Sequence, residues 1–286
     1  MFVEETMKRA AIVIAVLAMC ASSFGQDKKE TQTAPAGQAT APQGKRAPAA
    51  KTQPEFDAYK AAIQLTDPAA AEKAADDFAS KFPDSELRVV LFKQAMQKYQ
   101  ANPDKMLEMA QKALAIDPDD PEALVTAAQV LAERTRDTDL DKDQKLAEAK
   151  KDAERCLVTV DTDVPTSGFP PEKIDQFKRF VRSEAYAILG SMASNAKNYS
   201  EAEANLRKSV EAFPEQVDPV AVLRLAIALD MQNKYPDALK YANQAVDLTK
   251  DHPDSPAGKA ARSEQDRLTK VSSGSAPGQT TAPQKN

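Results

Sequence analysis

Residues 183–214, SEAYAILGSMASNAKNYSEAEANLRKSVEAFP, carry two helical stretches parted by a short polar break and closed by Pro214. The first sets Leu189 and Gly190 side by side; the second, opening near Tyr199, sets Ala202 and Leu206 on one face. Gly190 lies in mid-helix, where glycine costs about 1 kcal/mol relative to alanine. Its presence there implies a partner helix too close for a Cβ. Ala202 is small for the same purpose, and Leu189 and Leu206 fill the space between helices. The arrangement returns downstream, where Tyr235 and Ala238 stand 36 positions after Tyr199 and Ala202, with Leu225, Ala226, Leu239 and Ala245 extending the pattern.

Proline and glycine carry the same reading along the rest of the body. Between Pro54 and Val271 the only glycines are Gly168, Gly190 and Gly258, and no Asn-Gly or Asp-Gly pair closes a β-hairpin. Prolines instead follow good capping residues: Asp67-Pro68, Asn102-Pro103, Asp120-Pro121, Asp218-Pro219 and Ser255-Pro256 each place a side-chain acceptor before a residue that needs no N–H. The body thus divides near Pro54, Pro68, Pro83, Pro103, Pro121, Lys142, Pro171, Tyr199, Pro219, Pro236 and Pro256. That predicts about eleven helices, or five hairpins and one terminal helix.

The stretch from Ser183 to Pro214 resembles one whole tetratricopeptide repeat. Tyr186 stands where that family has tryptophan, Leu189-Gly190 follow at the family offset, Ala202 and Leu206 fall on the second helix and Pro214 closes it. Ala193 replaces a tyrosine and Leu206 a phenylalanine. Looser matches run upstream through Met106, Ala110, Ala113, Leu114 and Asp117-Pro118, then Leu124, Ala128 and Leu131, and finally Phe78, Phe82 and Pro83, so the resemblance covers Pro54 to Lys250. It implies an all-α, right-handed α-solenoid of about five hairpins, with the charged segment Pro256 to Val271 as a capping helix, and a scaffold that holds another molecule. It also implies a concave groove offering Glu184, Ala187, Ser191, Ser194 and Asn195 from one repeat and Val220, Leu223, Ile227, Asp230 and Met231 from the next. The lysine and asparagine types that form the clamp of chaperone-binding members are largely missing from these positions. The groove suits an extended or helical peptide with apolar or basic anchors. The alternative, that Val220 and Leu223 pack against the neighbouring hairpin, stays open.

The two ends have other compositions. Met7-Lys8-Arg9 before the apolar run Ala10 to Cys20 reads as a signal peptide over residues 1–25, implying a periplasmic or secreted protein. Leu17-Ala18-Met19-Cys20 also resembles a lipobox, and an outer-membrane lipoprotein anchored at Cys20 is the second reading. Residues 26–53 are rich in Ala, Pro, Gln, Thr and Lys and are expected to be disordered, as are residues 272–286. The folded body is expected over 54–271.

The chemistry-bearing inventory is thin. His252 is the only histidine and lies at a helix end, while Cys156 is the single cysteine of the body and falls where a second helix takes a small inward residue. No zinc set or phosphate-binding glycine loop occurs, so no cofactor is expected. The net charge of −5 gives no basic footprint for nucleic acid. Asp137, Asp139, Asp141, Asp143 and Glu148 have the spacing of an EF-hand calcium loop, but Lys142 takes the place of the turn glycine and Gln144 that of the apolar anchor. The expected function is a non-catalytic protein or peptide scaffold of the bacterial cell envelope; an envelope-assembly subunit is the alternative.

Overall fold

The computed structural model describes residues 45–166 and 169–273, and the expected leader, Cys20, the linker before residue 45 and the tail from residue 274 lie outside them. Among the described residues the chain is all-α. Its helices are α1 (Gln53–Ile63), α2 (Pro68–Lys81), α3 (Leu87–Lys98), α4 (Pro103–Leu114), α5 (Pro121–Arg134), α6 (Lys142–Thr159), α7 (Pro171–Asn195), α8 (Tyr199–Ala212), α9 (Pro219–Asp230), α10 (Tyr235–Leu248) and α11 (Pro256–Ser272), with a 3-10 turn at Pro214–Gln216. Each helix packs mainly on its neighbours in sequence. The described chain forms two compact units that divide within α7, the first ending at Ala185 and the second beginning at Tyr186. Among the described residues no helix is long and apolar enough to cross a membrane.

The caps explain where the helices begin. Asp67, Asn102, Asp120, Asp218 and Ser255 each accept a hydrogen bond from a backbone N–H in the first turn of the helix that their proline opens. One expected start is displaced. Pro83 opens no helix but follows Phe82 in a tight turn closed by Ser85 N–H donating to the Phe82 carbonyl at 3.0 Å. α3 begins at Leu87, whose N–H donates to Ser85 Oγ at 3.1 Å.

The second helix of each hairpin buries one stripe at spacing i, i+4, i+7. In the first unit the stripes are Ala71, Ala75 and Phe78 on α2, Met106, Ala110 and Ala113 on α4, and Ala149, Ala153 and Cys156 on α6. In the second they are Ala202, Leu206 and Ser209 on α8 and Ala238, Ala242 and Ala245 on α10. Small side chains let the helix axes approach closely, and larger residues of the first helices, such as Phe92 on α3, Leu131 on α5 and Leu225 and Leu229 on α9, fill what is left. Each buried leucine or phenylalanine contributes about 1.5–3 kcal/mol. α11 closes the second unit by burying Ala257, Ala261 and Leu268, and Arg267 reaches Asp230 at the end of α9 at 2.5 Å.

Polar ties run between successive second helices. In the first unit Glu72 on α2 accepts from Lys105 of α4 at 2.7 Å and from the Tyr99 hydroxyl. These hydrogen bonds hold the Glu72 carboxyl below the usual glutamate range. In the second unit Glu203 on α8 gathers Arg207 (3.0 Å), Gln232 (2.9 Å) and Lys234 (2.6 Å).

Two turns of the second unit are superimposable in chemistry. Lys197 (φ 61°) and Asn233 (φ 60°) both occupy the left-handed region. Asn198 N–H donates to Ala193 O at 2.8 Å and Lys197 N–H to Ser194 O at 2.9 Å; Lys234 and Asn233 repeat these bonds to Leu229 and Asp230 at 3.0 and 2.7 Å. Both helices thus end in a Schellman motif. Lysine gains nothing from a left-handed backbone, so Lys197→Gly should stabilise the protein by about 1 kcal/mol, read as a higher denaturant midpoint. A Cβ on Gly190 would stand 2.6 Å from Leu206 Cγ and 3.2 Å from the Leu206 backbone nitrogen. Gly190→Leu should therefore cost about 1–3 kcal/mol or more, seen as a lower melting temperature.

Candidate functional site

Because the second helices spend their small stripes on packing, the first helices are left to present longer side chains. In the first unit they surround a cavity of about 1210 Å³. α1 supplies Phe56 and Ile63, α3 supplies Val90 and Gln94, and α7 supplies Phe177, with Ile116 and the start of α5 completing the wall. Gln94 Nε2 donates to the Ile63 carbonyl at 2.7 Å, fixing the end of α1 against α3.

A buried ionic cluster stands in this wall. Lys93 Nζ lies 2.8 Å from Asp120 and 3.0 Å from Glu122, whose side chains are only 6% and 5% exposed. Gln97 donates to Glu122 at 2.7 Å, and Asp120 also caps α5 by accepting from Ala123 N–H at 2.9 Å. Burial alone would push the Lys93 ammonium down, but the two carboxylates override it and hold it well above the usual lysine range. Formally the cluster leaves one negative charge in the wall. Lys93→Met should leave both carboxylates buried without their cation and cost about 3–5 kcal/mol of stability in chemical denaturation.

Residues 45–52 border the same cavity as a strap outside any helix, bent at Lys51 and Thr52. This stretch belongs to the segment 26–53 expected from sequence to be a linker. Few apolar groups hold it; its order comes from backbone bonds and ion pairs. Lys45 N–H donates to Thr162 O at 3.0 Å, and Thr166 N–H donates back to Lys45 O at 3.2 Å. The Lys45 ammonium contacts Asp117 and lies 3.6 Å from Asp163, while one Arg46 guanidinium nitrogen binds both oxygens of Glu86 at 2.6 and 2.7 Å. Lys51 Nζ donates to the Asp84 carbonyl at 2.7 Å and Lys51 N–H to Glu55 at 2.7 Å. Thr52 then caps α1. Burial would raise the Glu55 carboxyl, but hydrogen bonds from Ser85 and from the backbone at Lys51 and Thr52 outweigh it and hold the group below its usual range.

The groove residues named from sequence fall on α7 and on the stretch from Val220 to Met231, and they differ in exposure. Glu184 belongs to the first unit and the rest to the second. Val220 and Leu223 are buried, so they line no open surface; Leu223 packs with Val222, Ala245 and Ala261. Asp230 is tied to Arg267, Ala187 packs on the core, and Ser191 donates to the Ala187 carbonyl at 2.7 Å while accepting from Arg224. Ser194 is half-buried. Asn195, Ile227 and Met231 remain exposed.

The calcium-like stretch is also not brought to a centre. Lys142 pairs with Asp137 at 2.7 Å, and Lys145 with Asp141 at 2.9 Å and Asp139 at 3.5 Å. Asp143 and Glu148 are already on α6 and exposed. Among the described residues no cluster of three or more metal-binding side chains occurs. Cys156 takes the last place of the α6 stripe, its thiol donating to Pro121 O at 3.4 Å and pushed up by burial. Asp152 is half-buried, and burial with Glu148 nearby pushes its carboxyl up to about 6.

Sequence reading placed the groove in the repeats with the clearest pattern, whereas the cavity lies among those with the weakest. The available signal was the polar trio Lys93, Gln94 and Gln97 following the apolar run Val89 to Phe92, together with acidic Asp117, Asp120 and Glu122 downstream. No protein-family model matches the chain, and no curated protein is significantly similar to it.

Proposed function

We propose that this chain is an exported, non-catalytic scaffold of tetratricopeptide-like hairpins that binds an extended peptide or protein segment, and that the binding surface is the cavity of the first unit. The observation that carries the reading is that this cavity, walled by first helices, is bordered by a non-helical stretch of chain held through its backbone and cations. Side chains at intervals with a bonded backbone are the chemistry of extended-peptide capture. The poor catalytic inventory agrees with it: His252 sits exposed after α10, and Cys156 is a buried thiol held protonated.

The test is selection of a random displayed peptide library on the full chain, carried out on the wild type and on Lys45→Glu/Arg46→Glu in parallel. Selected peptides should bind at least tenfold more weakly to Val90→Glu/Gln94→Ala, with the helical spectrum unchanged. Failure to enrich peptides on either protein, or equal binding to the groove variant, would overturn the proposal.

A further inference from the structure

The strap and the cavity share one electrostatic design. Glu86, Asp117 and Asp163 come from three separate places in the first unit, the turn before α3, the turn after α4 and the loop after α6. All three converge on two adjacent residues of the strap, Lys45 and Arg46. Without the strap the three carboxylates would face solvent beside a wall that already carries the net negative Lys93, Asp120 and Glu122 cluster. Just after the two cations, Ala47, Pro48 and Ala50 are half-buried and lie along the cavity, so only small or ring-closed side chains stand there. Proline fits because its position needs no N–H donor and favours an extended backbone. Lys45 exchanges two backbone bonds with the loop 162–166, as an added strand would.

We infer that residues 45–50 are a built-in occupant of the peptide site, and that the partner in trans is an extended peptide with two adjacent cations followed by small residues and proline, which binds by displacing the strap. The inference rests on the reading of the cavity as a peptide site and adds to it the ligand's chemistry and a competitor. The three carboxylates determine the cationic pair, and the half-buried places of Ala47, Pro48 and Ala50 determine the small residues and proline. Charge complementarity makes the exchange salt-sensitive, because these ion pairs are partly exposed.

The probe is a fluorescent peptide of sequence QGKRAPAAKT, copied from residues 43–52, added to the full chain and followed by fluorescence anisotropy. Wild type should bind it weakly. Lys45→Glu/Arg46→Glu, which loosens the strap, should bind at least tenfold more tightly at low salt, with an unchanged helical spectrum. Adding Glu86→Lys/Asp117→Lys to that variant should abolish binding of the probe and, because its acidic strap can pair with the new lysines, should leave the charge-reversed peptide QGEEAPAAKT bound only as weakly as wild type binds the probe. Equal affinity for wild type and strap variant would show that strap and peptide do not compete and would overturn the inference. So would failure of the strap variant to bind the probe, or concentration-dependent dimerisation of wild type that the strap variant loses, which would assign the site to the arm of a second copy. If library selection yields groove-dependent peptides without paired cations, the peptide site stands and this inference falls.

Discussion

Close approach of helices along a stripe of small side chains is the constraint on which the architecture depends. On all five second helices the buried positions recur at i, i+4 and i+7, and most are alanine, with Cys156 and Ser209 as small substitutes and Phe78, Met106 and Leu206 as the large exceptions. A stripe that narrow cannot support a core by itself. It brings backbones together and hands the work of filling space to leucine, phenylalanine and methionine on the opposing helices, which is where burial of apolar surface contributes most. The same division leaves first helices free to vary on the face away from the stripe. In the first unit that freedom holds Phe56, Val90, Gln94 and Phe177 around an open space.

Helix boundaries were legible because their chemistry is local. A capping oxygen followed by proline acts within four residues, so the caps at Asp67, Asn102, Asp120, Asp218 and Ser255 could be read directly. Pro83 misled because proline serves the second position of a turn as readily as the first of a helix, and the deciding group, Ser85, bonds to Glu55 thirty positions away. The groove was not legible for a related reason. Outward and inward positions of α9 are both apolar, so periodicity could not tell Val220 and Leu223, which are buried, from Ile227, which is exposed. The strap was hidden by its composition, since its order depends on carboxylates at Glu86, Asp117 and Asp163 that are distant in sequence.

Electrostatics in the first unit are layered by burial. Lys93 with Asp120 and Glu122 is nearly dry, so losing one member leaves a charge without compensation. Asp117, Asp163 and Glu86 are more exposed, and their pairs with Lys45 and Arg46 are weaker and open to salt. The inner cluster therefore sets the shape of the wall, and the outer carboxylates are available for exchange. The acidic turn from Asp137 to Asp143 differs from both, because Lys142 and Lys145 from its own sequence neutralise it locally.

Thr52 ends the strap and also caps α1, so no slack chain separates the cationic pair from the helix it is joined to. A segment tethered this closely presents itself at an effective concentration in the millimolar range or above. A competitor making only the same contacts would have to reach a free concentration of that order before it held half of the sites. Any partner that displaces the strap at micromolar levels must therefore gain contacts the strap does not make, and the unfilled part of the cavity beside Val90 and Phe177 is where such contacts are available.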